Sequence, residues 1–322
     1  MILKKLHKLI LKNKRLLQGC FGFALLAIVI MKSHPRELYE QMLGAPLLYM
    51  IPLIIFYHFI SITSWSLGIY SLIKRMKPGG IKQLISSSFK LQIFSIVAPG
   101  RIGDFALLYF LKDTYTYGQT SAVLLIDKLI TLSVNITLAS IGIGIFFSWG
   151  HSLTLISIMI AGFAILLWII FKCPQNYFNI GIISRIIKKL EGFRVEINAT
   201  VIDYKGIGIN LALTVFRYIL AGISVLLLLM IFGVNVSLVK IILIQAIIQL
   251  ATFVPLTIMG IGVLEALCVY FFGMVGVASE TILAIGLWGR AIYLGLIFSI
   301  YLFWIWKKQQ NKPKSQVKAI TL

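Results

Sequence analysis

Charge is scarce in this chain, and negative charge most of all. Only 12% of the 322 residues are Asp, Glu, Lys or Arg, against about 25% in a typical soluble domain. That deficit excludes an ordinary soluble fold. Ten acids stand against 30 Lys and Arg, for a formal net charge of +20. In a soluble protein this imbalance would suggest nucleic acid; here the basic residues cluster between apolar runs, so membrane orientation and anionic lipid headgroups explain them better and no nucleic-acid partner is expected. The three cysteines, Cys20, Cys173 and Cys268, are isolated, which excludes a disulfide framework and a zinc site. The histidines His7, His34, His58 and His151 are scattered, so neither a metal nor another cofactor is expected. Gly142-Ile143-Gly144 and Gly206-Ile207-Gly208 lack the Lys-Ser/Thr of a phosphate loop and read as close-packing glycines. Ser61, Ser64 and Ser66 have no accompanying His-Asp set, so nothing supports a hydrolase.

Apolar sequence dominates instead. Hydrophobic residues make up 59% of the chain, and the mean hydropathy is +0.96. The fold expected is all-α, a polytopic helical membrane protein forming one domain over residues 1–322. Spans are expected at about 16–31, 46–72, 120–147, 153–171, 207–232 and 281–306. The basic stretch before Leu16 mimics a signal peptide, but Met31-Lys32-Ser33-His34-Pro35 is a poor cleavage site, so the first span is expected to stay. Arg217 reads as interfacial. Within the polar loop 172–206, residues 182–190 have the spacing of a surface-lying amphipathic helix.

Two apolar segments do not read as simple spans. In 84–111, Pro99 removes a backbone donor and Gly100 loosens the chain just before Arg101, Gly103 and Asp104. In 238–276, Pro255, Gly260 and Gly262 precede Glu265. Broken backbone at membrane depth survives only inside protein or beside water. The basic segments 1–15, 74–90, 172–206 and 307–322 should all be cytoplasmic. That holds if both broken segments are re-entrant helical hairpins, the first from the cytoplasmic face and the second from the outer face. The count is then about six transmembrane helices plus two hairpins, with both termini cytoplasmic in the cell membrane. Paired interrupted segments mark inverted repeats in transporters; chance similarity of two breaks is the alternative.

Arg101, Asp104, Asp127, Lys128, Glu265 and Arg290 all fall in apolar surroundings. Left unpaired, six such charges would cost on the order of 15 kcal/mol on insertion scales, so they should be paired or wet. Arg101 and Asp104, three apart, can share a helix face. Lys128 is expected to snorkel to an interface. One reading has these charges tie the hairpins to the spans. The other has Arg101, Asp104, Asp127, Glu265 and Arg290 line a groove for a polar headgroup, the arginines drawing phosphate.

The run Ala98-Pro99-Gly100-Arg101-Ile102-Gly103-Asp104, then Ala122 to Asp127-Lys128-Leu129, then Pro255 to Gly260-Ile261-Gly262-Val263-Leu264-Glu265-Ala266, then Arg290, resembles the lysylphosphatidylglycerol synthase transmembrane-region family, the flippase-like domain also found in multiple peptide resistance factor. The likeness covers about residues 10–306. It implies re-entrant hairpins and a role in moving lipids or glycolipids between leaflets, with a membrane phospholipid or lipid-linked glycan as partner. The family usually has Glu where Asp104 stands, often Arg at the place of Leu107, Asp-Arg for Asp127-Lys128, and an acid at Thr131. These departures thin the first-half charge set and loosen the inference about headgroup. The sequence carries no soluble synthase domain, so lipid aminoacylation by this chain alone is not expected and it reads as a non-enzyme. A non-catalytic membrane subunit assisting a lipid-modifying enzyme or glycosyltransferase is the rival reading.

Overall fold

A computed structural model describes residues 14–74, 80–97, 100–171, 204–252 and 257–310. Pro99, Pro255, the side chain of Arg101, the amphipathic stretch 182–190 and most of the basic segments lie outside the described residues. The helices are α1 (Lys14–Lys32), α2 (Pro35–Leu43), α3 (Leu47–Ile73), α4 (Ile81–Val97), α5 (Leu107–Leu111), α6 (Tyr117–Phe146), α7 (Trp149–Phe171), α8 (Tyr204–Ile231), α9 (Leu238–Ala251), α10 (Val263–Gly273) and α11 (Ser279–Gln310). Two 3-10 turns, Gly100–Ala106 and Ile258–Gly260, precede α5 and α10. Among the described residues all regular structure is helical.

Helices α3, α6, α8 and α11 are long and apolar enough to cross a membrane. At 1.5 Å per residue each exceeds the ~30 Å of a hydrocarbon core. Helices α1 and α7 occupy the two other expected spans, with shorter apolar stretches among the described residues. The protein is a helical membrane protein. Helix α2 is an addition the hydropathy pattern does not announce, being nine polar-rich residues. Pro35 starts it at a position where its missing N–H costs nothing, and it seats the buried Leu38 with Val29, Leu283 and Ala284. Thr116 starts α6 more conventionally: its hydroxyl accepts from Gln119 N–H, and the Gln119 side chain accepts from Thr116 N–H, both at 3.2 Å.

The segment between α3 and α6 folds back on itself. Thr114 Oγ1, just past α5, donates to Gln83 Oε1 at 2.7 Å near the start of α4. Leu84, Leu91, Leu107 and Leu111 share one buried cluster with Trp65, Ile69 and Leu72 of α3. The segment between α8 and α11 does likewise: Ile241, Ile244 and Ile248 of α9 lie in one cluster with Phe271 and Phe272 of α10. The other end of α3, Met50 and Ile54, packs into this second cluster.

The packing partners exchange between the halves. Helices α3 and α8 pack on each other. The first arm of the second folded-back segment, α9, packs on α6; the first arm of the first, α4, packs on α11. Helix α8 touches α6, and α3 touches α11. The two 3-10 turns touch each other. The turns that follow the two chain breaks therefore meet.

Candidate functional site

The first break places Asp104 against the following long helix. Asp104 forms an ion pair with Lys128 of α6, and Lys128 Nζ also stands 3.6 Å from Asp127 and 5.5 Å from the centre of the Trp65 ring. The expectation that Lys128 reaches for an interface is corrected. Two carboxylates on its own side of the bundle hold it inward, where a Lys head without partners would be costly. Asp127 is fully buried and accepts from Trp65 Nε1 at 3.0 Å and Asn210 Nδ2 at 3.1 Å. Arg101 and Gly103 share the 3-10 turn with Asp104, a winding of three residues per turn that sets positions 101 and 104 on one face. Gly68 of α3 lies against Asn210: a Cβ there would sit 2.9 Å from Asn210 Nδ2. Gly68→Ala should displace that amide from Asp127. The loss expected is about 1.5–3 kcal/mol, as for a hydrogen bond to a charged group, read as a lowered thermal midpoint in detergent.

The second break is built from left-handed backbone. Met259, Gly260 and Gly262 have φ of 56°, 71° and 81°. Gly262 is required twice over, since a Cβ would collide with the Gly22 carbonyl and approach Leu26 N at 2.9 Å where α1 crosses the turn. Gly262→Ala should therefore separate α1 from the break and reduce the yield of monodisperse protein; wild-type yield and thermal midpoint would contradict this. Glu265 opens α10. Its Oε2 accepts from Gly262 N–H at 2.7 Å, and its Oε1 accepts from Arg290 Nη2 at 2.5 Å. Arg290 Nη1 reaches on to the Met259 carbonyl at 3.1 Å. One guanidinium thus ties α11 to both the strained turn and the helix that follows it.

The two breaks carry equivalent ion pairs. Each joins an acid just after the break to a cation on the next long helix, 24 residues on for Asp104–Lys128 (128 minus 104) and 25 for Glu265–Arg290. Gln92 of α4 accepts from Tyr293 of α11 at 2.9 Å, linking the first folded-back segment to the helix bearing Arg290. A cavity of about 220 Å³ adjoins the second pair, with Glu265, Arg290, Gln249, Thr252 and Cys268 in its wall.

Composition could not place several residues that the fold brings here. Trp65 and Asn210 lie 62 and 83 residues from Asp127 in sequence. Arg217 is corrected from an interfacial to an intrahelical-bundle position: part-buried, it donates from Nη2 to Thr214 Oγ1 at 3.0 Å and lines a second cavity, also about 220 Å³, shared by α3, α6, α8 and α9. The signal available was polar side chains at helical spacing in apolar helices: Asp127, Thr131 and Asn135 on α6, and Gln245 and Gln249 on α9.

The order of these breaks and charged residues agrees with the sequence resemblance, and residues 16–300 match the family described as the lysylphosphatidylglycerol synthase TM region. The chain belongs to this family. The match includes all four residues of the two ion pairs. No curated protein and no solved structure matches the chain. Membership makes this lysylphosphatidylglycerol synthase TM-region protein a membrane protein of lipid metabolism, associated with membrane phospholipid.

Proposed function

We propose that this protein moves the polar headgroup of a phospholipid or lipid-linked glycan between leaflets of the cell membrane. The observation that carries the reading is the meeting of two polar, charge-bearing chain breaks inside one apolar bundle. Lipid tails offer nothing to such groups, so broken backbone and paired charges there mark a path that protein or water must line. The exchanged packing partners of the halves support an inverted repeat, with residues 81–115 and 238–276 as re-entrant hairpins from opposite faces. Two breaks meeting from opposite faces leave only a short barrier for a headgroup, while the tails remain in lipid. Arg290 and Glu265, and Asp104 with Asp127 at the other break, are the groups such a headgroup would meet. The chain itself performs no group transfer in this reading; the ion pairs hold the Asp104 and Glu265 carboxylates.

The test is leaflet exchange in liposomes. Purified protein should let dithionite bleach a headgroup-labelled phospholipid beyond the roughly half exposed on the outer leaflet. Bleaching that stops at the protein-free level would overturn the proposal. Recovery of activity only with a co-purified lipid-modifying enzyme would favour the accessory-subunit role.

A further inference from the structure

The second cavity is chemically unlike the first. Its wall combines the Arg217 guanidinium, the hydroxyls of Ser61 and Thr131 and the amides of Gln245 and Gln249, drawn from four helices, and none of the residues lining it is acidic. Thr131 is 4% exposed and its Oγ1 has no hydrogen-bond partner. One turn further along the same face, Asn135 is fully buried with both amide atoms unpartnered. Buried polar groups in a native interior are almost always satisfied, so the unsatisfied Thr131 hydroxyl in the wall of a polar cavity points to a polar occupant. The nearest acid, Asp127, lies one turn before Thr131 and already accepts from Trp65 and Asn210, with Lys128 beside it. The Arg217 charge is felt at Asp127, and in the cavity it shares the wall with hydroxyls and amides, a set suited to a phosphate. A cavity of about 220 Å³ is of the size that a phosphodiester with a small polyol needs.

We propose that this cavity is a phosphate-binding subsite that receives the phosphodiester and hydroxyls of a glycerol- or sugar-phosphate headgroup, with Arg217 on the phosphate and Thr131 on an adjoining oxygen. Gln249 lies in the walls of both cavities, so the subsite neighbours the cavity of Glu265 and Arg290. Assigning the phosphate to a lipid rests on the transport reading; the cavity's preference for phosphate does not.

The experiment is calorimetric titration of the full chain in maltoside detergent with dihexanoylphosphatidylglycerol and, separately, with inorganic phosphate. Saturable binding of the short-chain lipid is expected. Arg217→Gln should weaken it at least tenfold, Arg217→Lys less, because a point charge replaces the fork. Thr131→Val should weaken it about threefold, and it guards the test should Arg217→Gln fail to fold. Binding of inorganic phosphate alone, with the same dependence on Arg217 and Thr131, would uphold the subsite while removing the lipid as its source. No saturable binding of either probe, or binding unchanged in both Arg217→Gln and Thr131→Val, overturns it.

Discussion

Replacement of Glu265 by Ala is expected to abolish leaflet exchange and to lower stability by about 3–5 kcal/mol, the cost of removing one partner from a buried ion pair. Three connections end on this carboxylate or depend on it. Arg290 loses its 2.5 Å partner, Gly262 N–H loses its acceptor, and the turn at Met259 keeps only the second arm of a guanidinium that has lost its first. Arg290 is 21% exposed at its side chain, so partial hydration places the cost toward the lower end of that range. The double variant Glu265→Ala/Arg290→Ala separates the two effects. Without a stranded charge it should regain part of the thermal midpoint, yet it should still fail to move lipid. Regained exchange in the double variant would reduce the pair to a structural tie, and a wild-type midpoint for Glu265→Ala would contradict the buried pairing itself.

Replacement of Asp127 by Leu should be comparably severe. Leu keeps the approximate volume but strands the Trp65 indole N–H and the Asn210 amide, each worth about 1–3 kcal/mol when buried and unpaired, and takes from Lys128 one of its two carboxylate neighbours, leaving Asp104. Asp127→Asn retains one acceptor oxygen and should lose roughly half as much. The ordering wild type, Asn, Leu is read from thermal midpoints followed by tryptophan fluorescence, to which Trp65 contributes directly. Equal midpoints for Asn and Leu would mean that the charge, and not the two hydrogen bonds, carries the site.

The architecture was legible where chemistry is local. A run of apolar residues long enough to span, a glycine beside a proline, and an acid after the break are all readable one segment at a time, and each expected span has its helix. Partner choice was not local. Asp104 sits three residues from Arg101 in sequence, yet its ion pair with Lys128 joins it to a residue 24 positions further on. Lys128 read as interfacial because long cationic side chains commonly snorkel, and Arg217 because it stands near the start of its expected span; the cost of both assumptions shows only once Asp104, Asp127 and the polar wall around Arg217 are seen together. Thr131, which stands where the family usually has an acid, looked like a loss of charge. In the fold it is a buried hydroxyl facing a guanidinium-lined cavity, so the departure changes the character of the site and does not merely weaken it. Helix α2 escaped notice for a simpler reason: nine residues are too few for a hydrophobic period to stand out.

The transport reading depends on residues 81–115 and 238–276 each entering and leaving the membrane on one face, opposite to each other. Single cysteines in a cysteine-free background test this directly, using the exposed positions Lys82 and Asp113 at the ends of the first segment and Asn235 and Ala278 at the ends of the second. With a membrane-impermeant maleimide, Lys82→Cys and Asp113→Cys should label only from the cytoplasmic side, and Asn235→Cys and Ala278→Cys only from the outer side. Labelling of Lys82→Cys and Asp113→Cys from opposite sides would make the first segment a single crossing and contradict the meeting of two re-entrant breaks.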